Sequence, residues 1–301
     1  MAKRILVVGA SGFIGSRLLK RLGGSGRGTG FQRCSSRLRK FDIGSESIRR
    51  LYPPNDRPDV CVLLASETNI DECARNPVRT HSVNVDATIQ TIKNLLEDRV
   101  KPIFISSDTV FDGDIGNYSE VSPPNPILTY GRQKYEVERF IKSNKRGGLV
   151  IRLAKTVSSD PLDDAMFGLW LRDALSGGVI RCANDQFQSL IDVDDVVEAI
   201  WRLAENDAEG IYHVGGDRKW TRAELFENFR VEFRETFGRD VVCETCSIRD
   251  FKFAEARPLD TSLDSTRIRR EYDFSTTDVL ETCRSAVSAA AAVSEILISM
   301  D

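Results

Sequence analysis

The chain has 301 residues, 41 % of them hydrophobic, and its 42 Lys and Arg nearly balance 45 Asp and Glu, for a formal net charge of −3. That length suits one large α/β unit or two intimately joined domains, and the charge balance leaves no basic field of the kind nucleic acid requires. No apolar stretch approaches the roughly 20 residues of a membrane helix, so neither nucleic acid nor a membrane is expected as a partner.

Residues 4–8 are rich in Ile, Leu and Val and read as a buried strand. A charged start before an apolar run has the form of a signal peptide, but the run is too short and leads directly into a glycine turn. The cytoplasm is the expected location. Gly9, Gly12 and Gly15, with Ala10, Ser11, Phe13 and Ile14 between them, join this strand to a helix over 15–22 that keeps Leu18, Leu19 and Leu22 on one side. The first glycine allows a tight turn, the second lets the backbone approach a pyrophosphate, and the third lets helix and strand pack closely. Free N–H groups at the helix start then hold phosphate charge. Gly9, Ser11, Gly12, Phe13, Ile14 and Gly15 are therefore expected to bind a dinucleotide.

Residues 23–30 are rich in Gly and Ser, and the spacing predicts a loop there. The stretch 29–37 has no carboxylate where dinucleotide folds hold the ribose 2′-hydroxyl. It has Arg33 and Arg37 instead, planar donors suited to a 2′-phosphate, so NADP(H) is favoured over NAD(H).

Further on, 60–64, 102–106 and 149–153 read as strands and 80–98 and 128–143 as helices. This alternation, with strands apolar throughout, predicts a doubly wound parallel sheet of the Rossmann kind. Ser106, Ser107 and Asp108 close the strand 102–106, at the sheet edge where such folds bind ligands. Tyr130 and Lys134 stand four apart, on one helical face. Tyrosine, with a pKa near 10, becomes an acid–base catalyst when a neighbouring ammonium favours the phenolate. Glycine turn, strand-tip hydroxyl and Tyr–Lys pair in this order mark Ser107, Tyr130 and Lys134 as the catalytic set.

Beyond about residue 155 the rhythm loosens. Helices are predicted over 168–175, 193–204, 222–237 and, in an Ala-rich run, 286–298. Residues 210–215 read as a strand that rejoins the main sheet. Residues 1–155 with about 187–215 are expected to form the dinucleotide domain, and about 156–186 with 216–301 a smaller substrate domain. Asp192, Asp194 and Asp195 precede an apolar helix and read as caps rather than metal ligands. Seven scattered cysteines, among them Cys243 and Cys246 in a lone CxxC, suit reduced thiols. No metal site is expected.

The G-x-x-G-x-x-G spacing of residues 9–15 resembles the extended short-chain dehydrogenase/reductases. Residues 106–113, with Val110, Phe111, Asp112 and Gly113, are similar to the dTDP-4-dehydrorhamnose reductase family. So are Tyr118 and Glu120, residues 125–131, Asp185 and Gln186, Asp194–Val196, and Ala256, Arg257 and Pro258 with Ser262, Leu263 and Asp264 after them. The likeness runs from about residue 4 to 270. It implies that Asp42 and Ile43 meet the adenine, and that Leu64, Ala65 and Ser66 line the middle of the cofactor. Asn84 would steady the cofactor side of the site, unless it is a helix-surface amide. It implies further that Ser107 binds a C4 carbonyl, Tyr130 protonates it, and Lys134 tunes Tyr130 and anchors the ribose. Ser107, Asp108, Val110, Phe111 and Arg257 would meet the substrate, Arg257 at its diphosphate unless it is a surface arginine.

The implied activity is NADPH-dependent reduction of a nucleotide-linked 4-keto-deoxysugar. Gln133 departs from the family, which has a small residue before the lysine. A nucleotide-sugar epimerase or dehydratase is one alternative, disfavoured by the paired arginines and by the lack of a Glu after Asp108. A non-catalytic, nucleotide-binding regulatory subunit is another, disfavoured by the intact trio. A homodimer is left open as the assembly.

Overall fold

Ile5, Leu6, Val7 and Val8 are all buried and form strand β1 (Ile5–Val8), apolar on both faces as a covered parallel strand must be. In this computed structural model, which describes residues 2–31, 38–144 and 147–298, the glycine turn leads into helix α1 (Phe13–Leu22). The next element corrects the sequence reading. Residues expected to form a loop include strand β2 (Gly26–Gly30), paired parallel to β1 with Ile5 opposite Gly26. Its glycines answer to crowding. A β-carbon on Gly28 would lie 2.7 Å from that of Ala10 and 2.8 Å from Leu19, and one on Gly26 would lie 2.8 Å from that of Leu22. Helix α1 presses so closely on this strand that only hydrogen fits.

The short edge strand β3 (Arg39–Lys40) follows β2, and β4 (Val60–Leu63) pairs with the other side of β1. The helix expected over 80–98 is segmented. Helices α2 (Ile70–Arg75) and α3 (Pro77–His81) lead into a π-helical turn, Ser82–Ala87, and then α4 (Thr88–Glu97). Strand β5 (Lys101–Ser107), helix α5 (Thr129–Ser143) and strand β6 (Leu149–Leu153) complete the regular half.

Then come β7 (Thr156–Val157), α6 (Met166–Ser176), β8 (Ile180–Ala183), β9 (Ile191–Asp192) and α7 (Val193–Glu205). Strand β10 (Gly210–Val214) rejoins the main sheet beside β6, as the sequence indicates. Helix α8 (Arg222–Phe237) opens on a capping box in which Thr221 and Glu224 satisfy each other's backbone N–H. Strand β11 (Cys243–Cys246), helix α9 (Thr266–Tyr272), helix α10 (Val279–Ala290) and helix α11 (Ser294–Ile298) close the chain. The Ala-rich helix therefore starts earlier than expected and breaks after Ala290.

The seven-stranded sheet has the order β10-β6-β5-β4-β1-β2-β3, every pairing parallel. This is the doubly wound arrangement, and the strand order reverses between β1 and β4, where such sheets open a crevice for ligand. One face of the sheet buries Ile5, Val7, Ile103 and Ile151 against Leu18, Ile200 and Leu203. The other buries Leu6, Val8 and Phe104 against Ile92, Leu95 and Val137. A separate apolar cluster joins α6, α8 and α10 around Trp170, whose ring meets Phe226 and Phe229 edge-on at 5.5 and 5.4 Å. Ile268 and Phe274 belong to the main-sheet cluster, so the chain returns there before α10. Among the described residues no helix is long and apolar enough to cross a membrane.

Candidate active site

Gly9 turns the chain out of β1 with φ +93°, and a β-carbon there would sit 2.7 Å from the Ala65 nitrogen. One on Gly15 would drive into the Gly9 carbonyl. The Gly12 N–H donates to that same carbonyl at 3.1 Å. Helix α1 then starts with no side-chain cap and no acidic residue in its first turn. Its first N–H groups and the positive end of its dipole thus face the crevice, a cradle that any larger side chain would fill and that suits a pyrophosphate. Ser11, Phe13 and Ile14 are half-buried at this rim.

Leu64 and Ala65 donate their N–H groups to the Val8 carbonyl at 2.9 and 3.0 Å, fixing the exit of β4 against that of β1. The Asp42 carboxylate accepts from the Gly44 N–H and the Ser45 hydroxyl, so it closes its own turn, while Ile43 packs partly into the core. Arg33 and Arg37 lie outside the described residues.

Asn84 is buried in the π-helical turn, which excludes the surface-amide reading. Its carbonyl oxygen accepts from the Ser66 hydroxyl (2.9 Å) and the Glu67 N–H (2.8 Å). Its amide donates to the Glu67 carbonyl (3.0 Å) and to Gln133 Oε1 (2.8 Å). Gln133 in turn donates to the Thr80 hydroxyl at 2.9 Å. The side chain that departs from the family pattern therefore ties helix α5 to the strand-end loop at Ser66.

Ser107 ends β5. Its hydroxyl donates to Asp108 Oδ1 (2.9 Å) and accepts from the Thr109 N–H (3.2 Å) and hydroxyl (3.0 Å). Asp108 is buried, and Thr261 donates to its other oxygen at 2.8 Å. Burial pushes this carboxyl above its ordinary value despite those two hydroxyl donors. Helix α5 lies against the Thr109 carbonyl because residue 131 is glycine, where a β-carbon would collide with that oxygen. Tyr130 is thereby brought to the Ser107 turn.

The Tyr130 phenol is buried, and its hydroxyl has no hydrogen-bond partner among the described residues. Burial, with the charge of Asp108 second, raises its pKa. Lys134, one turn on, donates to the Ile105 carbonyl at 3.0 Å, and its ammonium lies 5.5 Å from the Tyr130 ring centre and 4.9 Å from that of Phe104. Burial lowers its pKa to about 8. Desolvation of the Tyr130 phenol is the larger cause of its upward shift.

Beneath this layer Glu138 accepts from Ser106 (2.5 Å) and, with both oxygens, from buried Arg152 (Nε 3.0 Å, Nη2 2.7 Å). The Arg152 guanidinium also meets His213 Nε2 at 3.2 Å, while His213 Nδ1 faces the Tyr118 carbonyl at 2.9 Å. Burial, then the Arg152 charge, lowers the imidazole pKa to about 3, so His213 is the neutral tautomer donating from Nδ1.

Val110 and Phe111, expected to meet the substrate, are fully buried. Phe111 stacks on Tyr118 at 4.1 Å, and Val110, Phe111 and Tyr118 all belong to the core under the sheet. Asp112 accepts from Tyr118 (2.5 Å) and Asn125 (2.9 Å), so this phrase builds a turn. Arg257 is only 11 % exposed; it pairs with Asp71 at 2.6 Å and covers the Phe253 ring at 4.2 Å. It lines a cavity of about 330 Å³ between the turn at 112–114 and residues 248–259, together with Arg249 and Phe251. Asp192 caps α7 by accepting the Asp194 N–H at 2.8 Å, whereas Asp195 accepts the Thr277 N–H at 2.7 Å and so ties α7 to the segment before α10. Among the described residues no cluster of metal ligands forms.

Residues 3–292 match the family model described as RmlD substrate binding domain. The chain is 27 % identical over 282 residues to the probable low-salt glycan biosynthesis reductase Agl14 of Haloferax volcanii, covering 89 % of this chain and 92 % of that protein. It is 26 % identical over 234 residues to the methionine adenosyltransferase 2 subunit beta of Bos taurus, covering 74 % and 70 %. The crystal structure of a hypothetical dTDP-4-dehydrorhamnose reductase from Sulfolobus tokodaii superposes with a TM-score of 0.77 at 28 % identity, over 93 % of this chain and 98 % of the other. The Bacillus anthracis dTDP-4-dehydrorhamnose reductase in complex with NADP shares the fold, with a TM-score of 0.77 at 21 % identity over 94 % and 98 %.

Proposed function

The chain belongs to the RmlD substrate binding domain family, and from that membership and its site we propose that it is an oxidoreductase, an NADPH-dependent reductase of a nucleotide-linked 4-keto-deoxysugar. The observation that carries this reading is the buried Tyr130 phenol, its hydroxyl unpartnered among the described residues, on a helix that Gly131 packs against the Thr109 carbonyl and with the Lys134 ammonium 5.5 Å from its ring centre. The glycine cradle and the uncapped start of α1 fit a dinucleotide pyrophosphate. A reduced nicotinamide supplies a hydride when bound.

The residues of the chain do the rest. Ser107 orients the carbonyl oxygen by hydrogen bonding, and Tyr130 gives its phenolic proton to that oxygen as negative charge builds there. Lys134, anchored on the Ile105 carbonyl, stabilises the phenolate left behind and would hold the cofactor ribose. Leu64, Ala65 and Ser66 line the cofactor channel, and Asn84 holds Ser66 in place. Asp42 and Ile43 would meet the adenine, and the preference for NADPH rests on the sequence reading of Arg33 and Arg37 alone. Asp108 and Arg257 face the sugar nucleotide. The Haloferax relative, named a reductase, and the NADP complex of the Bacillus enzyme support this assignment.

The test is NADPH oxidation against a panel of nucleotide-linked 4-keto-sugars, with NADH as the control. Turnover with at least one sugar, faster with NADPH, is expected; no turnover with any would overturn the reading. A second reading, a regulatory subunit, is favoured by the likeness to the bovine subunit beta. It predicts a stoichiometric enzyme partner on co-purification and no reductase activity.

A further inference from the structure

Helix α5 carries Tyr130 and Lys134 yet starts without a cap of its own. Its N-cap residue is Leu128, which has no acceptor, and no acidic residue stands in its first turn. The acceptor comes from 126 residues downstream. Glu255 Oε2 accepts the Thr129 N–H at 2.9 Å, and Oε1 accepts the Thr129 hydroxyl at 2.7 Å and Arg132 Nη2 at 3.0 Å.

The carboxylate is itself held. The neighbouring Ala254 N–H (3.1 Å) and Arg257 Nη2 (2.6 Å) both converge on Asp71 Oδ1 of helix α2. A few residues on, Thr261 donates to Asp108, the partner of Ser107. One segment, 254–261, is thus fastened on both sides of the Ser107–Tyr130 pair, and it also lines the cavity beside Arg257.

We infer that Glu255 is a positioning residue for the catalytic helix: its carboxylate supplies the missing cap and fixes the peptide from which Tyr130 projects. The inference rests on the reductase reading for its catalytic part and on geometry alone for the cap. A carboxylate at a helix N-terminus satisfies the first N–H and complements the dipole. Here the capped residue immediately precedes the proton donor, so a loosened first turn displaces the phenol as well as fraying a helix. Acid–base transfer tolerates little such displacement.

Three variants of the full chain separate this from an ordinary stabilising contact. Glu255→Ala removes the cap. Glu255→Gln keeps an amide oxygen for the Thr129 N–H. Arg132→Ala leaves the carboxylate on the Thr129 N–H and removes a half-exposed side chain that pairs with Glu255 and also donates to the Ile127 carbonyl (2.7 Å) and the Thr129 hydroxyl (2.9 Å), exposed contacts that contribute little. With NADPH and a turned-over keto-sugar, Glu255→Ala is expected to lower kcat roughly tenfold with the Kd for NADPH within about twofold of the parent. Glu255→Gln should recover most of the loss, and Arg132→Ala should stay close to the parent. Amide hydrogen exchange at residues 129–131 should speed up about tenfold or more in Glu255→Ala alone. Unchanged exchange at 129–131, or an unchanged kcat with a turned-over sugar, overturns the inference. If no sugar is turned over by the parent chain, the reductase reading is what fails, and the exchange rates alone decide the cap.

Discussion

The side-chain amide of Asn84 donates to Gln133 Oε1 across 2.8 Å, both residues buried, so this bond joins the π-helical turn to helix α5. π-Helical turns are rarely retained without such a tertiary anchor or a functional use. Here the anchor passes on to the Thr80 hydroxyl and, through Asn84, to Ser66.

Replacing Gln133 by Ala leaves the Asn84 amide with its bond to the Glu67 carbonyl and the Thr80 hydroxyl with its bond to the Asn76 carbonyl, so one buried Asn84 N–H loses its partner. Such a group costs about 1–3 kcal/mol when water cannot replace the bond. Urea denaturation should show a loss of that order, with kcat reduced as Asn84 loosens. A variant as stable as the parent would mean that water takes over the bond.

Tyr130→Phe removes a hydroxyl that bonds to no described residue. Its folding stability should therefore stay close to that of the parent. Reductase turnover should fall by about 10²–10⁴, the usual contribution of a positioned acid. Cofactor affinity, followed by nicotinamide fluorescence, should be retained. Full activity in this variant would remove Tyr130 from the chemistry.

Lys134 has a native pKa of about 8 against an ordinary value of 10.5, so its charge opposes folding. Below pH 8 both native and unfolded chains hold the proton, and the whole penalty, on the order of 3 kcal/mol, is present. Between pH 8 and 10.5 the native chain has released it and the unfolded chain has not, so this contribution to stability rises with pH. Lys134→Met has no such term. The parent should therefore gain stability relative to Lys134→Met as pH climbs through that window, measured by denaturant unfolding at fixed ionic strength. A constant difference would contradict the lowered pKa.

Glycines divide by crowding. Gly15→Ala drives a methyl into the Gly9 carbonyl and should cost several kcal/mol, on the order of other severe backbone clashes, together with cofactor binding. Gly28→Ala must displace Ala10 and Leu19, separating α1 from β2. At Gly24 nothing lies within 4 Å, and Ala there should be neutral or slightly stabilising through the unfolded chain. Thermal melts of the three, with NADPH titrations, rank them. A Gly15→Ala protein that still binds cofactor would refute the tight cradle.

Where local pattern decides structure, the sequence could be read. The strand, glycine turn and first helix announce themselves through apolar runs and glycine spacing, and helix α8 matches its predicted range because its capping box and its apolar periodicity agree. Strand β2 could not be read, since its glycines are selected by a helix lying across it and look locally like a loop. Val110 and Phe111 belong to a phrase that marks kinship, but kinship does not say which way a side chain faces, and both face the core. The Glu255 cap joins positions 126 residues apart, and Asn84 is buried within a π-helical turn that no local pattern announces. Gln133 did leave a trace: an amide where the family has a small residue signals a polar partner nearby.

The Glu138–Arg152 pair beneath the sheet constrains how this chain can change over generations. Losing either member strands a buried charge, a defect of about 3–5 kcal/mol, whereas a matched apolar pair of similar volume is close to neutral. Ser106 and His213 lean on the same two groups. Descendants should therefore carry the acid and the base together or neither, because the single-step route between those states crosses a chain too unstable to persist.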